Sequence, residues 1–546
     1  MAAGVFDTII VGAGTAGCVL ANRLSSDPAR RVLLVEAGPD LPPGEEPAAI
    51  RAVYPTASFE PDFMWPGLAA EIKPGTPRVF YEQARVVGGG SSVMGMYALR
   101  GLPADYDEWK ALGAAGWGWD DVLPYFVKLE KDLTVRRMRR EQWPPFSQAL
   151  AGVLEQRGER FVPDLNGEFG DGLGPIPMNN TETHRVSAAN TYLTREVRKR
   201  SNLRILTDST VERIVMDGRA AKGVELERGG ARETHQANEV ILSGGAIHTP
   251  ALLMRAGIGP AAALQAKGIV VLHDLPGVGQ NLFNHPRVMI AAHLKPEGAQ
   301  PAALQPLTFG ALRHSSGVEG CAPGDMLLAM SNKASWHPLG NRMGMITSMV
   351  YKPYSRGEVR LASNDPRAMP EVDLRMLSDR RDLARLTNGL ALILGLLDEL
   401  PVAALRNEAF VVTSRDMLRR YNRPSKRNWV RAVVLRALLD GPAGLRKWMI
   451  RQVGQDPAEA VRAAGGLEAC ARRLTGAMFH SVGTCRIGAA GDRASVVDPA
   501  CRVHGIGNLR VVDGSVMPTI PRANTNLPIN MIAERAADLI LERRSA

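Results

Sequence analysis

The sequence predicts an α/β protein (α+β overall), with a parallel sheet drawn from widely separated stretches of chain. Three observations lead there. The first forty residues read strand, glycine turn, helix, strand. A strand-rich block runs from Ser201 to Ile241, and strand character returns at Leu509-Arg-Val-Val512 ahead of a last helix. At 546 residues, and roughly 100–200 residues per domain, the chain holds two or three domains. Because the strand–turn segments lie at both ends and in the middle, those domains are interleaved in sequence.

Each element has its own warrant. Phe6-Asp-Thr-Ile-Ile-Val11 is a β-branched run, and Gly12-Ala-Gly-Thr-Ala-Gly17 follows at once. Cys18 to Leu24 has apolar residues at helical spacing, and Arg31-Val-Leu-Leu-Val35 is a second buried strand ending at Glu36. A βαβ opening of this kind implies a parallel sheet. Pro39 to about Pro77 is irregular and rich in Gly and Pro, and Gly88-Gly-Gly-Ser-Ser92 is a second glycine cluster. The middle block reads as strands at Leu203, Val211, Gly223 and Glu239, each four or five residues long. Helix and loop alternate from about 300 to 475, and the last helix runs from Ile529 to about Arg543.

Composition removes several classes. A chain 45% hydrophobic is not disordered, and no run of about 18 apolar residues exists to span a membrane. The start lacks the basic residues of a secretion signal. Five cysteines (Cys18, Cys321, Cys470, Cys485 and Cys501) are scattered and odd in number, with no zinc spacing. The expectation is therefore no metal and a cytoplasmic location. The net charge of +10 is concentrated: residues 411–460 carry eleven Lys/Arg and four Asp/Glu, leaving only +3 for the other 496 residues. No basic region is interleaved with stacking aromatics, so no nucleic-acid partner is expected.

Four motifs carry chemistry. Gly12-x-Gly14-x-x-Gly17, with Thr15 and Ala16 inside it, follows a strand and opens a helix. There Gly12 permits the turn, Gly14 admits a pyrophosphate, Gly17 lets helix pack on strand, and the helix N-terminus favours the anion. Glu36, at the end of the second strand with Ala37 after it, can accept hydrogen bonds from ribose hydroxyls. Val87-Gly-Gly-Gly-Ser-Ser-Val-Met-Gly-Met96 can converge backbone N–H groups on an anion or ring edge, or be a flexible loop. Phe479-His-Ser-Val-Gly-Thr-Cys-Arg486 sets His480 among small and polar residues, where it is either a base or a structural histidine. Asn524-Thr-Asn-Leu-Pro528 precedes the last helix, as a cap or as part of a site.

Jointly, these blocks resemble one family. From Phe6 to about Leu541 the chain is similar to the glucose–methanol–choline (GMC) FAD-dependent oxidoreductases. The further strings are Leu33-Leu-Val-Glu-Ala-Gly38, Gly245-Ala-Ile-His-Thr-Pro-Ala-Leu-Leu-Met254, Leu275-Pro-Gly-Val-Gly-Gln-Asn-Leu282, Val497-Asp-Pro499 and Leu509-Arg-Val-Val-Asp-Gly-Ser-Val-Met-Pro518. Tyr81-Glu-Gln83, Gly101-Leu-Pro-Ala-Asp-Tyr-Asp-Glu-Trp109 and Ala523-Asn-Thr-Asn-Leu-Pro528 resemble the bacterial branch that is choline-dehydrogenase-like and hydroxymethylfurfural-oxidase-like.

The resemblance implies a Rossmann-like FAD-binding domain at 1–155, 200–300 and 476–546. It implies an interleaved substrate-binding domain at 156–199 and 301–475, built on a sheet flanked by helices. It implies oxidation of an alcohol, primary and of aryl type, to the aldehyde, with hydride passing to flavin N5. His480 matches the family's catalytic histidine, and Asn526 is placed at the partner position. Cofactor contacts fall on Gly12, Gly14, Thr15, Ala16, Gly17, Glu36, Ala37, Val87, Gly89, Ser91, Met94, Gly95, Met96, Tyr97, Val211, Asp513, Gly514, Asn524 and Thr525. Phe479 and Met478 line the substrate pocket or belong to the core. No His lies between Met1 and Thr183, so the FAD is expected to be non-covalent. Met94, Ala256 and Asn284 stand where the family has Asn, Ser and Asp. A family stretch that covers the flavin is missing between Lys131 and Arg136.

The electron acceptor implied is oxygen or a quinone. The basic stretch 415–451 alternates cations with apolar residues and tryptophans at helix-like intervals. It reads as a peripheral contact with the inner membrane surface or as an ordinary solvated helix face. The alternatives on the same scaffold are a hydroxynitrile lyase, a light-driven fatty-acid decarboxylase and a non-catalytic FAD-binding protein.

Overall fold

The computed structural model describes residues 5–413 and 415–542, with the side chains of Arg415 and Asp416 outside that description. Its first sheet grows from β1 (Phe6–Val11), which pairs in parallel with β2 (Val32–Val35) on one side and with Ala231–Leu242 on the other. Leu203–Leu206 extends the sheet beyond β2. β1 and β2 are buried on both faces, as their nearly continuous apolar runs require. Helix α1 (Thr15–Leu24) lies between β1 and β2 and packs its Ala, Val and Leu side chains into the core.

The strand Ala231–Leu242 does two jobs. Its last residues pair in parallel with β1 and with Leu509–Val511. Its first residues pair antiparallel with Ala220–Arg228, which in turn pairs with Ser209–Asp217. One long strand thus joins the parallel layer to an antiparallel meander. The last helix, Asn526–Glu542, shares the core with α1, and its buried Glu534 pairs with Arg23 and Lys128. Arg543, where the sequence pattern ends that helix, is outside the described residues.

A second sheet runs in the order Gly454–Gln455, Arg406–Val412, Pro286–Leu294, Met343–Val350, Met326–Ser331, Thr308–His314, Gly172–Pro175. The pairings named here are antiparallel, and the helix Arg380–Asp398 covers one face. Much of the stretch expected to alternate helix and loop is therefore sheet. Met326-Leu-Leu-Ala-Met-Ser331 is buried at every position, so it shows no two-residue alternation to betray a strand. Two apolar cores result, one around each sheet. Leu68, Tyr81 and Phe146 to Leu154 pack in the second core, although the resemblance groups them with the first domain. The helix Trp119–Asp132 leads almost directly into Val135–Arg136, which pairs with Met178–Asn179. Among the described residues, no helix is long and apolar enough to cross a membrane.

Candidate active site

Between the two cores lies a cavity of about 1020 Å³, open to solvent. One end is built from backbone. At Gly12, φ is +99°, and a Cβ there would sit 2.5 Å from the Ser243 carbonyl oxygen. Gly17 abuts the Gly12 carbonyl so closely that a Cβ would lie 1.9 Å from its oxygen. The second glycine cluster docks on the first: Gly88 N–H donates to Ala13 O (2.7 Å), and a Cβ on Gly89 would come within 2.9 Å of Gly14 Cα. That contact resolves the second cluster as a structured wall and not a flexible loop. Helix α1 starts at the cavity with no side-chain cap, which leaves its first N–H groups free for an anion.

Glu36 is buried where β2 ends. Its Oε2 accepts from Ala13 N–H (2.8 Å) and its Oε1 from Gly38 N–H (2.9 Å). Burial raises its carboxyl pKa, and those N–H bonds oppose the rise. Asp513 plays a matching part on the Ser243–Ala246 wall that adjoins the Gly12 turn. It accepts from Gly245 N–H (2.8 Å) and Thr249 Oγ1 (2.7 Å), fixing the helix Gly245–Arg255 against the cavity.

The other end is built from side chains. The chain at Gly476–Val482 runs antiparallel to Phe283–Arg287, which brings His480 against His285. Their Nδ1 atoms are 2.8 Å apart, so one imidazole donates to the other. His480 Nε2 lies 3.1 Å from Asn524 Nδ2, and Asn524 Oδ1 accepts from Tyr351 OH (2.7 Å). The Tyr351 bond turns the amide so that its NH2 faces His480. Nε2 is then the acceptor, and Nδ1 carries the proton toward His285. His285 stacks on the Tyr351 ring with centroids 4.6 Å apart. Asp105 holds the Asn524 segment, accepting from Arg522 N–H (2.8 Å) and from Lys352 beside Tyr351 (3.3 Å). Burial pushes His480 down to about 4 and His285 well below its usual value, so both rings are neutral at neutral pH.

Against known proteins, a GMC oxidoreductase N-terminal model matches residues 6–287 and its C-terminal counterpart residues 353–533. The chain belongs to the GMC oxidoreductase family. It is 40% identical to a 5-(hydroxymethyl)furfural oxidase from Methylovorus sp. (strain MP688), over 98% of this chain and 99% of that protein. It is 31% identical to an oxygen-dependent choline dehydrogenase from Photobacterium profundum, over 98% and 93%. Among solved structures it resembles pyridoxine 4-oxidase from Mesorbium loti, with TM-score 0.78, 25% identity, and 98% and 99% of the chains covered. A fungal aryl-alcohol oxidase matches in fold, with TM-score 0.74, 23% identity, and 99% and 100% covered. As a GMC oxidoreductase the chain is a flavoprotein acting on CH–OH donors. Its cavity fits FAD: an uncapped helix N-terminus opens onto it, a Cβ on Gly14 would come no nearer than 4.0 Å to anything beyond its chain neighbours, and one on Gly95 would meet nothing within 4 Å.

Most residues placed by resemblance line this cavity: Gly12, Gly14, Thr15, Ala16, Glu36, Ala37, Gly89, Met94, Gly95, Tyr97, Val211, Asp513, Gly514, Asn524, Thr525, Asn526, Phe479 and His480. Others support it from behind. Gly17 packs helix on turn, Val87 is core, and Ser91 Oγ accepts from Ala188 N–H (3.0 Å). Met96 and Met478 pack in an apolar cluster with Tyr97 and Ala523 and are not among the cavity-lining residues, so Met478 takes its core reading. The expected partner Asn526 does not hydrogen-bond His480 in this structure. Asn524 reaches the imidazole, whereas Asn526 starts the last helix and accepts from Thr15 Oγ1 (2.9 Å). The sequence reading assigned no role to His285, Tyr351 or the Ser243–Ala246 wall. The last repeats the strand–glycine–helix pattern of β1 and α1, so the signal was present; His285 and Tyr351 read as ordinary strand residues.

Proposed function

We propose that this GMC oxidoreductase oxidises a primary alcohol on an aromatic or furan ring to the aldehyde. His480 acts as base and Asn524, not Asn526, as its partner. The observation that carries the reading is the convergence of a neutral imidazole acceptor and an amide donor, both buried, at one end of the cavity. On substrate binding the Asn524 N–H turns from His480 Nε2 to the substrate oxygen, where it donates as charge develops, and the freed Nε2 lone pair takes the hydroxyl proton. The His480 Nδ1–H bond to His285 fixes the tautomer and stabilises the imidazolium. Phe479, beside the base, lines the cavity and supplies an aromatic ring there that suits a flat substrate. FAD bound here supplies the hydride acceptor. The Gly12–Gly17 turn would hold its pyrophosphate, Glu36 its ribose, Val211 the adenine end, and the 94–97 and 513–525 segments the ring end.

The furan and aryl choice rests on the relatives named for a hydroxymethylfuran and an aryl alcohol. Oxygen is the acceptor in this reading, with a quinone as the alternative. The cofactor is non-covalent, since no histidine stands near the second glycine cluster. The flavin half comprises 1–155, 200–300 and 476–546, less the stretches 68–81, 143–154 and 282–294 that pack in the second core.

The test is an anaerobic titration with benzyl and furfuryl alcohols, followed by air. Bleaching of the band near about 450 nm, with fast recovery in air, is expected. A flavin that stays oxidised with every alcohol would move the assignment to a lyase. His480→Ala should lower turnover by about two orders of magnitude or more with FAD retained. Near-normal turnover in that variant would remove His480 as the base. Acid precipitation should leave the flavin in the supernatant; a yellow pellet would mean covalent attachment.

A further inference from the structure

Seven of the sixteen large apolar side chains that stand exposed among the described residues fall between Trp429 and Trp448. They belong to a basic three-helix module, Arg415–Asn422, Lys426–Leu439 and Ala443–Arg451. The middle helix turns Asn428, Ala432 and Leu439 toward the protein, where Leu439 packs with Ala291, Phe410 and Ile450. Its opposite side presents Trp429, Val430, Val433 and Val434, spaced as a single helical stripe. Trp448, 61% exposed, extends the apolar surface on the next helix. A helix that is apolar on both sides is normally covered on both sides.

The charges divide in a telling way. Arg419, Arg436, Arg446 and Arg451 pair with Glu82, Asp440, Glu408 and Glu459. Lys426, Arg427, Arg431 and Lys447 are exposed beside the apolar stripe, with no acidic partner among the described residues. Residues 415–451 hold eleven Lys/Arg against two Asp/Glu. A second copy of the same face would set one cation cluster against another. A nucleic acid would meet the cations but leave the Val and Trp stripe uncovered. An anionic bilayer surface satisfies both features at once: headgroups meet the cations, and the acyl boundary takes the stripe.

We propose that the 426–451 face docks on anionic lipid. Arg419 ties the module to the cavity wall. It pairs with Glu82 (3.0 Å) and lies 4.4 Å from the centre of the Phe80 ring, and the chain continues into Gln83, Ala84 and Arg85 of the cavity lining. Docking therefore holds that wall of the cavity beside the membrane.

The test sediments the FAD-loaded protein with vesicles of equal parts phosphatidylcholine and phosphatidylglycerol, against phosphatidylcholine alone. Binding should require the anionic lipid and weaken with salt. Val430→Asp/Val434→Asp removes only the stripe, and Lys426→Glu/Arg427→Glu/Arg431→Glu only the charge. Each should lower binding at least about tenfold while turnover with a soluble acceptor stays unchanged. The proposal is overturned if the protein stays in the supernatant with anionic vesicles, or if the valine variant binds them as well as the parent. It is equally overturned by a dimer that the valine variant dissociates with no vesicle binding, or by duplex DNA outcompeting the vesicles.

Discussion

The two ends of the cavity are made of different material. The Gly12–Gly17 end is backbone, shaped by turns that only glycine tolerates, with both glycine clusters in contact. The His480 end is side chain, assembled from His285, Tyr351, His480 and Asn524 on four distant stretches of chain. The backbone cradle tolerates no added atom at Gly12 or Gly17, while a side-chain relay depends on which donor faces which acceptor. The first should fail by losing its ligand, and the second by losing rate while keeping it.

The largest expected effect separates the two asparagines. Asn524→Ala should lower kcat/KM by about two to three orders of magnitude with FAD content unchanged. Asn526→Ala, which loses a bond to Thr15, should cost less than about tenfold in rate. Steady-state kinetics on both variants decides it, and the reverse ranking would restore Asn526 as the partner. Next comes Gly12→Ala, whose Cβ meets the Ser243 backbone. Flavin absorbance of the purified variant should show affinity down at least about tenfold. Full flavin content there would mean that the turn relaxes.

Acid should act on the side-chain end and on other buried imidazoles. His248, His285, His293, His337 and His480 are all held below the usual 6.5, chiefly by burial. Below 6.5 the unfolded chain takes up protons that the folded chain refuses until near its lowered values. Stability is therefore full above 6.5 and falls as pH drops toward about 4. At about pH 5 the loss is up to roughly 2 kcal/mol per histidine, read as a fall in Tm. A Tm flat from neutrality to about pH 5 would contradict the burial of these rings. The smallest effect is Tyr351→Phe. It frees the Asn524 amide to turn and should slow kcat about threefold to tenfold, with the flavin spectrum unmoved.

That contrast also marks what the sequence could say. The cradle was legible because its signals are local: a β-branched strand, glycines at fixed spacing, and a carboxylate at the next strand's end. His480 stood out from its polar neighbours. Its partner did not, because Asn524 and Asn526 look alike in sequence and only the start of the last helix at Asn526 turns that residue to Thr15. His285 and Tyr351 sit at strand ends and read as core. The second sheet was hidden for a related reason, since strands buried on both faces lose their alternation.

The strand Ala231–Leu242 accepts β1 on one edge and Leu509–Val511 on the other, and the cavity wall reaches from Val11 to Ile529. A ribosome releasing this chain in order would leave the nucleotide cradle without its far wall until about 500 residues had emerged. Cofactor loading then follows synthesis of nearly the whole polypeptide, and prematurely terminated products would accumulate colourless.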